Sequence, residues 1–363
     1  MKTSSFKNSI ALGAAIAALA LTSSLQAAVP VSVFIEGGSA SESVLYDRAT
    51  NLFAGGTFTS TGTGKSAVRE FVGTSGNAAL SGYSITLDIN VNNGAIAGLE
   101  ALVTQTPAVG DTNIFGVETV PTFVDSATSP DAVGISSVAN NLVALPTYVV
   151  PLVYVKNSLF PDIAGITNLT QRQAVSLETS VNPGSFYGGT STNPVYFVGR
   201  NSQAAVRTEV DFNIYNSGSI LTFTNNSLGQ AVQDQSADPG LTSGSTEAST
   251  VTALTNSIGT VAVQNATGTL VPLAYEGVNY SVTNVINGSY PLWGYENYYY
   301  IGSGNGSPSA NQQAVLNVFY QSVTNAAFQV VTNPTFTNNF VPNAALKVSR
   351  GFDGGQITPL PNY

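Results

Sequence analysis

The sequence predicts an α/β fold, on three observations. β-branched runs lead through Gly-rich turns into stretches with helical spacing, and this order recurs along the chain. One nearly continuous apolar run has the character of a strand buried on both faces. The chain has 363 residues, 43% of them apolar, enough for about two domains with ordinary packed cores.

Residues 29–35 are a β-branched run ending in Glu36-Gly37-Gly38-Ser39-Ala40-Ser41, and residues 43–53 have helical spacing. The first unit is thus a strand, a Gly-rich turn and a helix capped by Ser39 or Ser41. Such a turn presents free backbone N–H groups at a helix N-terminus. Residues 83–91 alternate with period two, and Asn92-Asn93-Gly94 leads into the apolar residues 95–103, a second strand, turn and helix. An apolar segment at 114–124 then reaches Asp125-Ser126. Residues 147–155 are the doubly buried strand. Residues 161–178 read as helical, with Asn168 or Thr170 opening 171–177, and 195–198 are a further buried strand ending at Gly199-Arg200-Asn201-Ser202. Between 215 and 249 the chain is polar and rich in Gly, Ser and Asn, as a surface elaboration or a lid would be. Residues 257–263 restore a strand, 290–298 are an aromatic extended run, and 311–330 close with a helix opened by Ser309 or Asn311.

Ahead of these units, Lys2 and Lys7 supply a positive start, 10–21 an apolar run and 22–28 a zone of small residues. This predicts a secretory signal peptide cleaved after Ala27, with Ala28 as the competing site. The apolar run is shorter than the roughly 20 residues of a spanning helix, so no membrane insertion is expected after cleavage. Cleavage would remove two lysines and no acid, moving the net charge from −9 to −11. An acidic chain of pI near 4.4 is not expected to bind nucleic acid.

The chain has no Cys and no His, which excludes disulfides, a Cys nucleophile, a Ser-His-Asp triad and the usual zinc ligand sets. No metal, cofactor or catalytic residue is expected. The carboxylate pairs Asp234 with Asp238 and Glu276 with Glu296 have no pocket signal around them that would suggest a glycosidase.

Six segments carry a resemblance when taken in order: Phe34-Ile-Glu-Gly-Gly-Ser-Ala, Tyr148-Val-Val-Pro-Leu-Val-Tyr-Val, Ile166-Thr-Asn-Leu-Thr-Gln-Arg-Gln-Ala, Val195-Tyr-Phe-Val-Gly-Arg, Ser257-Ile-Gly-Thr-Val and Gly288-Ser-Tyr-Pro-Leu-Trp-Gly-Tyr-Glu. Residues 31–345 resemble the substrate-binding proteins of ABC transporters, and among them the phosphate-binding branch of the type II periplasmic-binding-protein fold. The resemblance implies two lobes, each a mixed sheet flanked by helices, joined by two hinge crossings. Lobe I would span 28–147 and 290–363, and lobe II 148–289. It also implies a monomer that closes over a small anionic ligand, an oxyanion such as phosphate, and partners an ABC permease.

Within that resemblance Ser39 stands where the family places a hydroxyl donor, Asp125 falls near its acceptor Asp, and Arg200 matches its anion-binding Arg. Gly38, Ala40, Ser202 and Arg207 complete the candidate ligand-binding set. The chemistry needs helix N-terminal amides, hydroxyls and one guanidinium around a dehydrated anion, so even a strongly acidic chain can perform it. Two places depart from the family pattern. Ala95 replaces a second hydroxyl donor, and Ala204-Ala205-Val206 replaces a Ser-Gly-Thr. Each hydrogen bond to a charged group contributes about 1.5–3 kcal/mol, so these losses weaken phosphate binding by orders of magnitude.

Plainer roles compete for the same residues. Gly37-Gly38-Ser39 also reads as a capped turn, Arg200 as an ion-pair partner of Asp125, the aromatic run as core, and Ser243-Gly244-Ser245 as a loop rather than part of a lid. The alternative function is a non-transport extracellular module on the same scaffold, with a degenerate site and a surface or matrix partner.

Overall fold

The structure is a computed structural model and describes residues 27–63, 68–216, 219–329, 336 and 338–361. Apart from Ala27, the expected leader lies outside the described residues.

The first half of the chain builds β1 (Val29–Gly37), α1 (Glu42–Leu52), the hairpin β2 (Thr57–Thr61) and β3 (Arg69–Thr74), β4 (Tyr83–Asn90), α2 (Ala95–Thr104), β5 (Phe123–Ser126) and β6 (Leu142–Asn157). Next come β7 (Asn168–Leu169), α3 (Gln171–Thr179), β8 (Asn182–Pro183), β9 (Pro194–Val198), α4 (Ala205–Ile214), β10 (Phe223–Asn225), β11 (Ala231–Gln233), α5 (Gly244–Ala253) and β12 (Ser257–Ala262). The chain closes with β13 (Leu270–Pro272), β14 (Ala274–Tyr275), α6 (Val282–Ile286), β15 (Trp293–Ile301), α7 (Ala310–Thr324) and short strands near the C-terminus.

One mixed sheet runs in the order β2-β3-β4-β1-β5-β15-β6-β12-β9-β8. β1 pairs in parallel with β4 on one side and β5 on the other, and its last five residues are buried. That is the environment in which an uninterrupted apolar strand is stable. The two lobes are read along β6, a strand of 16 residues. Leu142 to Pro151 pair antiparallel with β15, and Leu152 to Lys156 pair antiparallel with β12. Proline cannot donate to a ladder, and both prolines of β6 stand at irregularities. Pro146 lies opposite the register shift at Glu296/Asn297, and Pro151 lies where β15 gives way to β12. Leu292 O accepts from Leu152 N, so the outgoing and returning chains cross side by side.

The aromatic run is largely core. Tyr290, Trp293, Tyr298 and Tyr299 are buried, while Tyr295 and Tyr300 are half-buried. Trp293 and Tyr148 are among the largest fully buried side chains.

Several elements differ from the sequence reading for local reasons. α3 starts only at Gln171, because Thr170 and Gln173 form a reciprocal capping box. A capping box between Ser309 and Gln312 likewise opens α7. The apolar segment after Ile114 is a turn before it is a strand: Asn113 Oδ1 accepts from Phe115 N at 3.0 Å and Val117 N at 3.1 Å, leaving both apolar side chains exposed. The polar segment 215–249 contains the β10–β11 hairpin and the first turns of α5. Ser243-Gly244-Ser245 is a helix start, with Ser243 Oγ accepting from Thr246 N at 3.2 Å.

Candidate functional site

The Gly-rich turn after β1 places Ser39 at the contact between the two halves of the sheet. Ser41 is the N-cap residue of α1 but makes no side-chain capping bond, and Ser39 does not cap either. Instead Ser39 Oγ accepts from Gly244 N at 3.0 Å and from Arg200 NH1 at 3.2 Å. The first donor is the N-terminus of α5 and the second follows β9, so one hydroxyl of the first half is gripped by two donors of the second.

Arg200 is 3% exposed. Its Nε donates to Leu241 O at 2.9 Å and its NH2 to Thr242 O at 2.6 Å, so the loop before α5 holds the guanidinium in place. Among the described residues no carboxylate lies within ion-pairing distance of it. Burial pulls its pKa down to about 10, opposed by the nearby Glu247, so it stays cationic at neutral pH. Glu247 is itself pushed up by burial, to about 8, which leaves it largely neutral there. A buried cation without an ionised partner is costly, and here carbonyl and hydroxyl oxygens compensate it.

Around this grip the halves interlock. Gln264 Nε2 donates to Ser39 O at 2.8 Å and Ala40 O at 2.6 Å, Ile96 N donates to Gln203 O at 3.2 Å, and Thr128 Oγ1 donates to Ala205 O at 3.1 Å. Gly94, at φ 95°, precedes α2, and a Cβ there would stand 2.4 Å from Gln203 O. Only glycine permits both that φ and that approach. The cavity left between the halves is about 10 Å³, room for roughly one water. Gly38, Ser39 and Ala40 line it beside α1, Gly94 and Ala95 at the start of α2, and Ala204, Ala205 and Val206 at the start of α4. Arg200, Ala127 and Glu296 complete the wall. Helix N-termini therefore converge here, with their partial positive charge.

Of the candidate set, Gly38, Ser39, Ala40 and Arg200 come together at this cavity. Asp125 lies beneath it. Gly38 N donates to its carbonyl at 3.3 Å, while its side chain is fully buried beside Glu296 and makes no ion pair with Arg200. Ser202 is exposed, and its N–H donates to Asp238 Oδ1 at 2.9 Å. Arg207 turns to Asp211 at 3.5 Å and Asp238 at 4.0 Å.

Two features of the site escaped the sequence reading. Gly244 was hidden in a Ser/Gly cluster, although Ser243 followed by Thr246 and Glu247 is a helix-start signal. Glu296 was hidden because strand register alone brings it to Asp125: Tyr298 pairs with Asp125, and Glu296 with Tyr148. Burial raises the pKa of both carboxyls, and Asp125 is raised further by the negative charge of Glu296, while Ser41 opposes the rise in each. The two carboxyls are hydrogen-bonded to each other, and such a pair titrates as a unit.

No protein-family model matches the chain, and no curated protein matches it. Solved structures do. A protein described as a phosphate ABC transporter substrate-binding protein from Clostridium perfringens, solved with bound phosphate, superposes with TM-score 0.57 at 13% identity, over 86% of this chain and 99% of that one. An ABC-type phosphate transport receptor from Vibrio cholerae gives TM-score 0.51 at 13% identity, over 85% and 99%. Likeness at that identity is a likeness of fold. The chain therefore has the two-lobed, mixed α/β fold seen in these substrate-binding proteins.

Proposed function

We propose that this chain is an exported solute-binding protein whose lobes close over a small ligand bearing an anionic group, an oxyanion such as phosphate being the first candidate, for ABC-type uptake. The observation that carries the proposal is Arg200: a buried guanidinium at the contact between the halves, with no carboxylate in ion-pairing distance among the described residues, sharing an acceptor with the N-terminal amide of α5. An anion entering there would take the place that Ser39 Oγ now fills for both donors.

In this reading lobe I is 28–147 with 290–363 and lobe II is 148–289. β6 and the segment before β15 serve as the hinge crossings. The cavity is too small for phosphate as it stands, so the ligand enters with the lobes apart. Binding rather than catalysis is the role that fits a site whose polar groups are amides, one hydroxyl, one guanidinium and a carboxyl pair. Export rests on the leader read from residues 1–27, and an ABC permease is the proposed partner.

The test is a thermal-shift titration of residues 28–363 with phosphate, sulfate, molybdate and small organic anions. A ligand at 100 times its Kd stabilises the folded state by about 2.7 kcal/mol. A saturable shift that disappears in Arg200→Ala supports the proposal. Absence of any shift at millimolar concentration would overturn it and leave a non-transport module.

A further inference from the structure

The cavity that Arg200 faces has a second pole of opposite sign. Glu296 lines the same cavity, is 1% exposed, and its carboxyl meets Asp125 and the Ser41 hydroxyl but, among the described residues, no cation within ion-pairing distance. Asp125, beside it, is hydrogen-bonded to Glu296 and Ser41. Glu209, on α4, adds a third buried carboxyl, beside Thr128, and its counter-charge is Arg350, whose guanidinium donates to the carbonyls of Pro291 and Trp293. Tyr148, Tyr298 and the Ser41 hydroxyl surround the Asp125–Glu296 pair, and among the described residues no cation reaches it within ion-pairing distance.

Between the poles the wall is methyl. Ala95, Ala127 and Ala205 pack on one another, with Ala204 beside them. A tetrahedral oxyanion is best held with side-chain donors added to the helix amides, and this wall offers no side-chain donor. A buried cation and a buried acid pair that face one space, each hydrogen-bonded but without a counter-ion among the described residues, are matched together by one molecule carrying both complementary charges.

We infer that the ligand is a small zwitterion, an amino acid of the size of glycine or alanine, with its carboxylate on Arg200, Gly244 N and Ser39, its ammonium toward Glu296, and its short apolar link against the alanines. The inference rests on the anion reading proposed above. The ligand enters with the lobes apart; the alanine wall suits a short apolar link, and the reading assigns Glu296 as the residue that separates amino acids from simple anions.

The experiment is titration calorimetry of residues 28–363 with glycine, L-alanine and β-alanine, and with acetate, methylamine, phosphate and methylphosphonate as single-charge or oxyanion probes. We expect one of the amino acids to bind saturably, and acetate and methylamine to bind roughly ten- to a hundredfold more weakly or not at all, the loss of one charge-assisted contact. Glu296→Gln should weaken amino-acid binding by at least tenfold while its thermal melt shows a folded protein; should that variant not fold, the comparison of probes on the unaltered chain still decides. Binding of phosphate, methylphosphonate or acetate without amino-acid binding overturns the zwitterion and leaves the anion reading standing. Binding of nothing overturns both.

Discussion

Ser39 and Arg200 meet through one oxygen, and removing either has a distinct consequence. Ser39→Ala takes away the acceptor shared by Arg200 NH1 and Gly244 N, leaving two buried donors unmatched. Stability should fall by about 1–3 kcal/mol in urea unfolding, and a change below half a kcal/mol would mean water replaces the hydroxyl. Arg200→Ala should leave the fold standing but abolish binding of any anionic ligand in calorimetry. These two residues were singled out in the sequence by the family resemblance and, for Arg200, by the scarcity of Arg; the Gly-Gly-Ser turn alone reads equally as a capped turn. Asp125 was visible as a position near the family's acceptor Asp and as a candidate ion-pair partner of Arg200; its pairing with Glu296 depends on strand register, which no local pattern encodes.

At the scale of elements, the caps decide where helices begin. Thr170 and Ser309 each accept from the backbone of the third helical residue and are answered by a Gln side chain. Thr170→Ala and Ser309→Ala should each cost about 1 kcal/mol, measured as a fall in the denaturation midpoint at unchanged slope. Strands were legible from β-branched runs and helices from spacing, whereas 215–249 was not, because Gly, Ser and Asn serve loops, tight hairpins and helix N-termini alike. The apolar segment after Ile114 hides its turn for the converse reason: a single Asn side chain satisfies two amides and turns an apolar stretch outward.

The whole molecule carries its acids in an unusual place. Burial pushes Glu178, further raised by Asp211, and Glu247 up to about 8, and Asp211 up to about 6. In the unfolded chain these groups titrate near 4, so between those values the folded state holds protons the unfolded state has released. Their contribution to stability is complete below about pH 4 and is lost as pH rises through about 8. Calorimetric melting should therefore give a higher Tm near pH 5 than near pH 8.5, and the reverse order would show these carboxyls to be ionised in the native protein.

The two-lobed architecture was legible only through the order of its segments, since the crossing lies inside one uninterrupted strand with no linker to mark it. That strand also sets a timetable. β5 and the first part of β6 share a neighbour, β15, which begins at Trp293. A chain ending at residue 289 would present both edges bare, and such a fragment should aggregate rather than refold after dilution from urea. During synthesis the N-terminal third must wait, without its last strand, for residues made near the end. The first lobe is therefore completed last, and refolding should be slow for the chain's size, because the pairings of β15 with β5 and β6 that finish it join segments far apart in the sequence.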